Sequence, residues 1–199
     1  MKPYLLGITG GIGSGKSTVS KIFEVLGLKI YQSDDMAKYL MENDNKLISS
    51  IINHFGEESY IDGKINKEYI SKNVFYDKEK LKIINNLVHP VVINDFKKWC
   101  LINKSEKILI KEAALLFESK SYKELDFIIY VYAEKKLRIS RILKRDSHRT
   151  KDQIEHIIKS QLTDKESFEK ADYILENNEK SLLLPEVIDL YEKIRKKVC

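Results

Sequence analysis

The chain has 199 residues, 43% hydrophobic, 33% charged and 10% aromatic, a composition that fits one globular domain and excludes disorder as its main state. Its apolar runs, such as those at 127–132 and 182–184, fall far short of the roughly 20 residues a membrane-spanning helix needs, so no membrane partner is expected. The net charge of +5 hints at an anionic partner, yet 30 of the 35 basic residues are lysines, and four of the five arginines (Arg138, Arg141, Arg145 and Arg149) fall within twelve positions.

Residues 4–9 read as a short buried strand that runs into glycines, and 17–26 place Val19, Ile22, Phe23 and Leu26 at the period of a helix. Gly27 stands at a helix C-terminus, and 28–31 read as a second strand giving way to Gln32-Ser33-Asp34-Asp35. This alternation points to parallel βαβ units. From 34 to 103 the periodicity is mainly helical, punctuated by Phe55-Gly56, Asp62-Gly63 and Pro90, and no strand is predicted there. His89-Pro90 is expected to end one helix and start another. Strands are predicted at 108–110, ending at Glu112, at 127–132 and at 172–175. Helices are predicted at 133–145, 150–161 and 181–197, the last with Pro185 in its first turn. No repeat or long linker divides the chain.

Gly10-Gly11-Ile12-Gly13-Ser14-Gly15-Lys16-Ser17 fits G-x-x-x-x-G-K-[ST] at every fixed position, between a predicted strand and a predicted helix. Glycines let successive backbone N–H groups turn inward around phosphate oxygens, and a helix N-terminus adds its positive end. Lys16 would bridge the β- and γ-phosphates of ATP, and the Ser17 hydroxyl would ligate Mg2+. The chain has no Asp-x-x-Gly, and its nearest approach to a guanine motif, Asn103-Lys104-Ser105-Glu106, ends in Glu and precedes a strand. A switch GTPase is therefore disfavoured, and a small kinase leads.

Ligands of open α/β sheets gather at the carboxyl ends of strands, where Asp34, Asp35 and Glu112 fall. Asp34 is the candidate for the carboxylate that takes the acceptor's proton or holds the acceptor through Mg2+; alternatively Asp34 or Asp35 simply caps the following helix. Glu112 could serve Mg2+ or substrate, or be structural. The arginine row, spaced three, four and four, puts at least its first three members on one helix face. It reads either as a phosphate-gripping lid or as a solvated basic face. His89 is either a packing residue or a ligand-binding one. His54, His148 and His156 show no metal spacing with cysteine, and Phe55, Phe96 and Trp99 read as core. Cys100 and Cys199 are too few and unpatterned for a disulfide framework, and Met1-Lys2-Pro3-Tyr4-Leu5-Leu6 lacks a signal peptide's apolar core, so a cytoplasmic setting is expected.

In order along the chain stand residues 7–18, Asp34 with Ala37, Phe55-Gly56, Asp62-Gly63, His89-Pro90 and Leu115-Leu116-Phe117-Glu118. Arg141, Arg145, Gln161, Ala171-Asp172 and Asn177 complete the set. Together they resemble the dephospho-CoA kinase family. The resemblance implies an adenylate-kinase-like five-stranded parallel sheet flanked by helices, with a helical acceptor-binding insertion and a small lid. It implies one domain over 1–199, with a core of 1–33 and 104–199, an acceptor-binding part at about 34–103 and a lid at about 138–150. The implied reaction is ATP-dependent phosphorylation of the ribose 3′-hydroxyl of dephospho-CoA, giving CoA and ADP in the last step of coenzyme A synthesis. Asp34, Lys16 and Arg141 would be catalytic. Gly11, Ile12, Gly13, Ser14, Gly15, Lys16, Ser17, Thr18, Arg141, Arg145 and Asn177 would bind ATP. Asp34, His89, Leu115 and Glu118 would bind the acceptor. Gln32, Lys67, Ala114 and Ser167 depart from the family pattern on the acceptor side. Another small-molecule kinase on this fold, or a P-loop protein acting on a polyanion, are the competing readings. The arginine row is too compact to track a duplex, so no nucleic-acid partner is expected; a monomer or small homo-oligomer is.

Overall fold

The computed structural model describes residues 2–74, 77–146 and 149–198. Met1, His148 and Cys199, which enter the readings above, lie outside these. In chain order the elements are β1 (Tyr4–Thr9), α1 (Lys16–Val25), β2 (Lys29–Gln32), α2 (Ser33–Asn43), α3 (Asn45–Phe55), β3 (Tyr60–Ile61), β4 (Lys64–Ile65), α4 (Lys67–Val74) and α5 (Lys78–Ile102). They continue with β5 (Ile108–Glu112), β6 (Phe127–Tyr132), α6 (Lys135–Arg145), α7 (Lys151–Ser160), α8 (Asp164–Phe168), β7 (Tyr173–Glu176) and α9 (Leu183–Val198). Two compact units result, one of Met1–Gln32 with Ile102–Cys199, the other of Ser33–Leu101.

The first unit is built on a five-stranded sheet in the order β2-β5-β1-β6-β7, every pair parallel. Its central strands are apolar on both faces because both are covered. Leu6, Ile8, Ile110, Ile129 and Val131 pack with Val19 and Phe23 of α1 and Val187, Leu190 and Ile194 of α9. A second cluster joins Leu116, Phe117, Ile128 and Tyr130. Each such side chain contributes about 1.5–3 kcal/mol by leaving water.

Two aspartates complete the ladder where strands begin. Leu5 N–H donates to Asp126 Oδ2 (2.8 Å) while Asp126 N–H donates to Leu5 O (2.8 Å); Asp172 does the same with Ile128, at 2.8 and 3.0 Å. Asp172 thus stands just before the last strand, which runs one residue later than the sequence pattern implies. At the end of α1, Gly27 takes φ 91° and donates to Glu24 O, while Leu28 N–H donates to Phe23 O. This is a Schellman stop, and it turns the chain into β2.

The second unit is not wholly helical. β3 and β4 form an antiparallel hairpin in which Tyr60 pairs with Ile65 around Asp62 (φ 50°) and Gly63 (φ 76°). The expected break at His89-Pro90 does not occur either, since α5 runs unbroken through Pro90. Its buried residues Ile84, Val88, Val92 and Phe96 recur every fourth position, so one apolar stripe spans the proline, whose own ring is exposed. Packing along that stripe outweighs the roughly 3 kcal/mol an interior proline costs. Trp99 stacks on Phe96 with centroids 6.1 Å apart, and Phe55 is buried, as core aromatics should be. Asp44 caps α3 by accepting from Leu47 N–H at 2.9 Å.

Candidate active site

β1 delivers the chain into the glycine loop and α1 takes it up. Gly15 caps α1 in a left-handed conformation (φ 96°), with no side-chain cap and no acidic residue in the helix's own first turn. A Cβ on Gly15 would collide with the Asn177 amide, and one on Gly11 with the Arg138 guanidinium. Gly15 is required by backbone angle as well as by approach, Gly11 by approach alone. Lys16, only 9% exposed, folds its ammonium back to donate to Gly10 O at 3.0 Å. Ser17 and Thr18 are exposed at the start of α1, and Ser17 Oγ donates to Glu112 Oε1 at 3.2 Å. Glu112 ends β5 and pairs in register with Ile8 on one side and Gln32 on the other, so the sheet fixes the position of its carboxylate.

Three predicted nucleotide residues meet at the Ser14 carbonyl. Asn177 Nδ2 donates to it at 2.8 Å and Arg141 Nη1 at 3.3 Å, while Arg141 Nη2 also donates to Asn177 O (3.0 Å) and to Glu179 Oε1 (2.9 Å). Asn177 is placed by its own N–H, which donates to Tyr132 O at the end of β6. The arginine row does not act as one face. Arg145 is exposed and donates to both carboxylate oxygens of Asp146 (2.9 and 3.0 Å), which pushes its pKa up, and Arg149 pairs with the same carboxylate at 3.3 Å. Arg138 is 4% exposed: its Nε donates to Ile12 O (3.0 Å) and its Nη1 to Asp164 Oδ1 (3.3 Å).

Gln161, just past α7, was visible in the sequence only as part of a resemblance. Its Oε1 accepts from Ile12 N–H at 2.9 Å, a contact that no local pattern signals because 149 positions separate the two. Glu118 Oε1 accepts from Leu162 N–H at 3.0 Å, and Leu115 O from Ser119 N–H, so the 115–118 turn is joined to the segment after α7. Gly10, Gly11, Ala114, Phe117, Glu118 and Gln161 line one crevice, together with the buried Ser167. Asp34 is the exposed second residue of α2, past the cap position, while His89 lies half-buried in α5 and Lys67 exposed at the start of α4; all three belong to the second unit.

A phosphate loop between the first strand and first helix of a β2-β5-β1-β6-β7 parallel sheet, flanked by an arginine-bearing helix, defines a P-loop kinase-like protein. The sequence model of dephospho-CoA kinase matches residues 4–182. A dephospho-CoA kinase of Fusobacterium nucleatum is 38% identical over 98% of this chain and 97% of its own length. One of Bacteroides fragilis is 35% identical over 95% and 94%. The chain belongs to the dephospho-CoA kinase family. Among solved structures, dephospho-CoA kinase from Campylobacter jejuni aligns with a TM-score of 0.71 at 27% identity over 97% of this chain and 98% of that one. Shikimate kinase from Acinetobacter baumannii shares the fold, with a TM-score of 0.57 at 16% identity over 98% and 94%. The chain is thus an ATP-dependent phosphotransferase acting on dephospho-CoA in coenzyme A biosynthesis.

Proposed function

We propose that the β- and γ-phosphates of ATP bind in the 10–17 loop, that the ribose 3′-hydroxyl of dephospho-CoA attacks the γ-phosphorus, and that Asp34 accepts the hydroxyl proton. The O–P bond to the 3′-oxygen forms as the bond to the β-phosphate oxygen breaks, leaving CoA and ADP. The observation that carries this reading is the loop itself: glycines that admit no side chain, an uncapped helix start, and Lys16 held within the loop at Gly10 O. Lys16 then exchanges that carbonyl for phosphate oxygens and stabilises the charge on the transferring group. Asp34 follows Gln32, which pairs with Glu112, by two positions along the chain.

The Ser17 hydroxyl beside the Glu112 carboxylate is a set of hard oxygen donors suited to Mg2+, with Ser17 the direct ligand. When bound, the ion would neutralise phosphate charge. Arg141 and Asn177, joined at Ser14 O, form the nucleotide's outer wall, and Arg145 would leave Asp146 to reach the phosphates as the part of the 138–150 lid beyond Arg138 and Arg141 closes. His89, Leu115 and Glu118 serve the acceptor, with the helical part at about 34–103 as its platform. The setting is cytoplasmic, with small molecules as the only partners and a monomer or small homo-oligomer as the working form. The decisive experiment is an ADP-release assay over a panel of acceptors. Dephospho-CoA should turn over well above water; the reading fails if a nucleoside or sugar does so and dephospho-CoA does not.

A further inference from the structure

The backbone of Ile12 is gripped on both sides of its Cα. Its N–H is taken by Gln161 Oε1 at 2.9 Å and its carbonyl by Arg138 Nε at 3.0 Å. We infer that Arg138 and Gln161 are positioning residues that set the phosphate loop for its nucleotide through the two peptides of Ile12, and that Gln161 links the loop to the 114–118 turn. The inference rests on the reading of the loop as the ATP phosphate site.

Neither side chain's placement is explained by packing alone. A guanidinium with 4% exposure loses most of its hydration, so its partners must be well placed to compensate. Asp164 is such a partner, at 3.3 Å from Nη1, and is itself fixed by the Tyr130 hydroxyl, which donates to the same Oδ1 at 2.7 Å. The fork therefore reaches Ile12 from an anchored base. Gly11 has no Cβ where the guanidinium lies, so loop and arginine fit each other. Glycines at 11 and 13 flank Ile12, and they give the loop a freedom that fixing the two peptides of Ile12 removes before any nucleotide arrives. Gln161 also reaches the other way: its Nε2 donates to Ala114 O at 3.5 Å, and its neighbour Leu162 donates to Glu118 at 3.0 Å. A nucleotide that locks the loop thereby steadies the turn that the proposed function assigns to the acceptor.

The test measures ADP binding by calorimetry, separately from turnover, with melting temperature as a control for folding. Gln161→Met should weaken ADP about tenfold while melting within a few degrees of the parent. Arg138→Lys keeps the charge but cannot span Ile12 O and Asp164 together, and should weaken ADP comparably. Because both act on the backbone of one residue, the double variant should lose clearly less than the product of the single losses. A merely structural role would lower the melting temperature and leave ADP affinity in the folded protein unmoved. ADP affinity of Gln161→Met within twofold of the parent overturns the inference, even if Arg138→Lys does not fold. Failure of the parent chain to bind ADP would overturn the loop reading as well, so the two failures are distinguishable.

Discussion

At the scale of single residues, charge placement governs the expected chemistry. If Lys16 stabilises the transferring phosphoryl charge as proposed, Lys16→Ala should lower kcat by on the order of 100- to 1000-fold, read as ADP release. If Asp34 accepts the acceptor's proton as proposed, Asp34→Asn should lower kcat by roughly 100-fold or more while ATP affinity stays within a few-fold, since an amide cannot accept a proton. Tyr130 carries a pH signature. Burial first, and then its hydrogen bond to Asp164, push its pKa well above the usual tyrosine range. Stability from the neutral hydroxyl is complete below about pH 10, where the unfolded chain also keeps its proton, and is lost as pH rises beyond it. Denaturant titrations at pH 8 and 11 should show Tyr130→Phe closer to the parent at the higher pH. The loop residues of the site were legible because one short motif specifies them. Arg138 was legible only as a member of a row, since spacing along a helix reports direction and not which arginine finds a buried partner. Gln161 gave no local sign at all.

At the scale of elements, the strands of the main sheet and the helices around them follow from period and punctuation, while short elements escape both. Two-residue strands have no period to detect, so hydrophobic periodicity does not reveal the β3–β4 hairpin. Its one sign was Asp62-Gly63 between Tyr60-Ile61 and Lys64-Ile65, a pair suited to two consecutive positive φ angles. Pro90 misled in the opposite direction: a local rule said stop, and a stripe of Ile84, Val88, Val92 and Phe96 continued the helix through it. The starts of α7 and α8 are set by side chains just before them. Thr150 with Gln153 and Thr163 with Glu166 form capping boxes for α7 and α8, and these place Gln161 in the short span between them. Asp44→Ala removes the cap of α3 and should cost about 1 kcal/mol in chemical denaturation, with the nucleotide site unaffected.

At the scale of the whole molecule, nucleotide binding and stability are linked. Saturation at about 100 times Kd adds roughly 2.7 kcal/mol, which in a chain of this size should raise the melting temperature by roughly 5–10 °C, and Lys16→Ala should shrink that rise. The net charge of +5 resolves into dispersed lysines and a few arginines with assigned partners, so binding to RNA or DNA should vanish by about 200 mM salt in a titration. The fold of Lys16 back onto Gly10 O bears on chemical labelling. An amine-acylating reagent applied to the intact protein meets a surface rich in reactive lysines, and Lys16 is not among the accessible ones. Brief treatment should therefore modify the surface lysines while sparing the 10–17 loop, and leave a protein in which Lys16 still carries its charge.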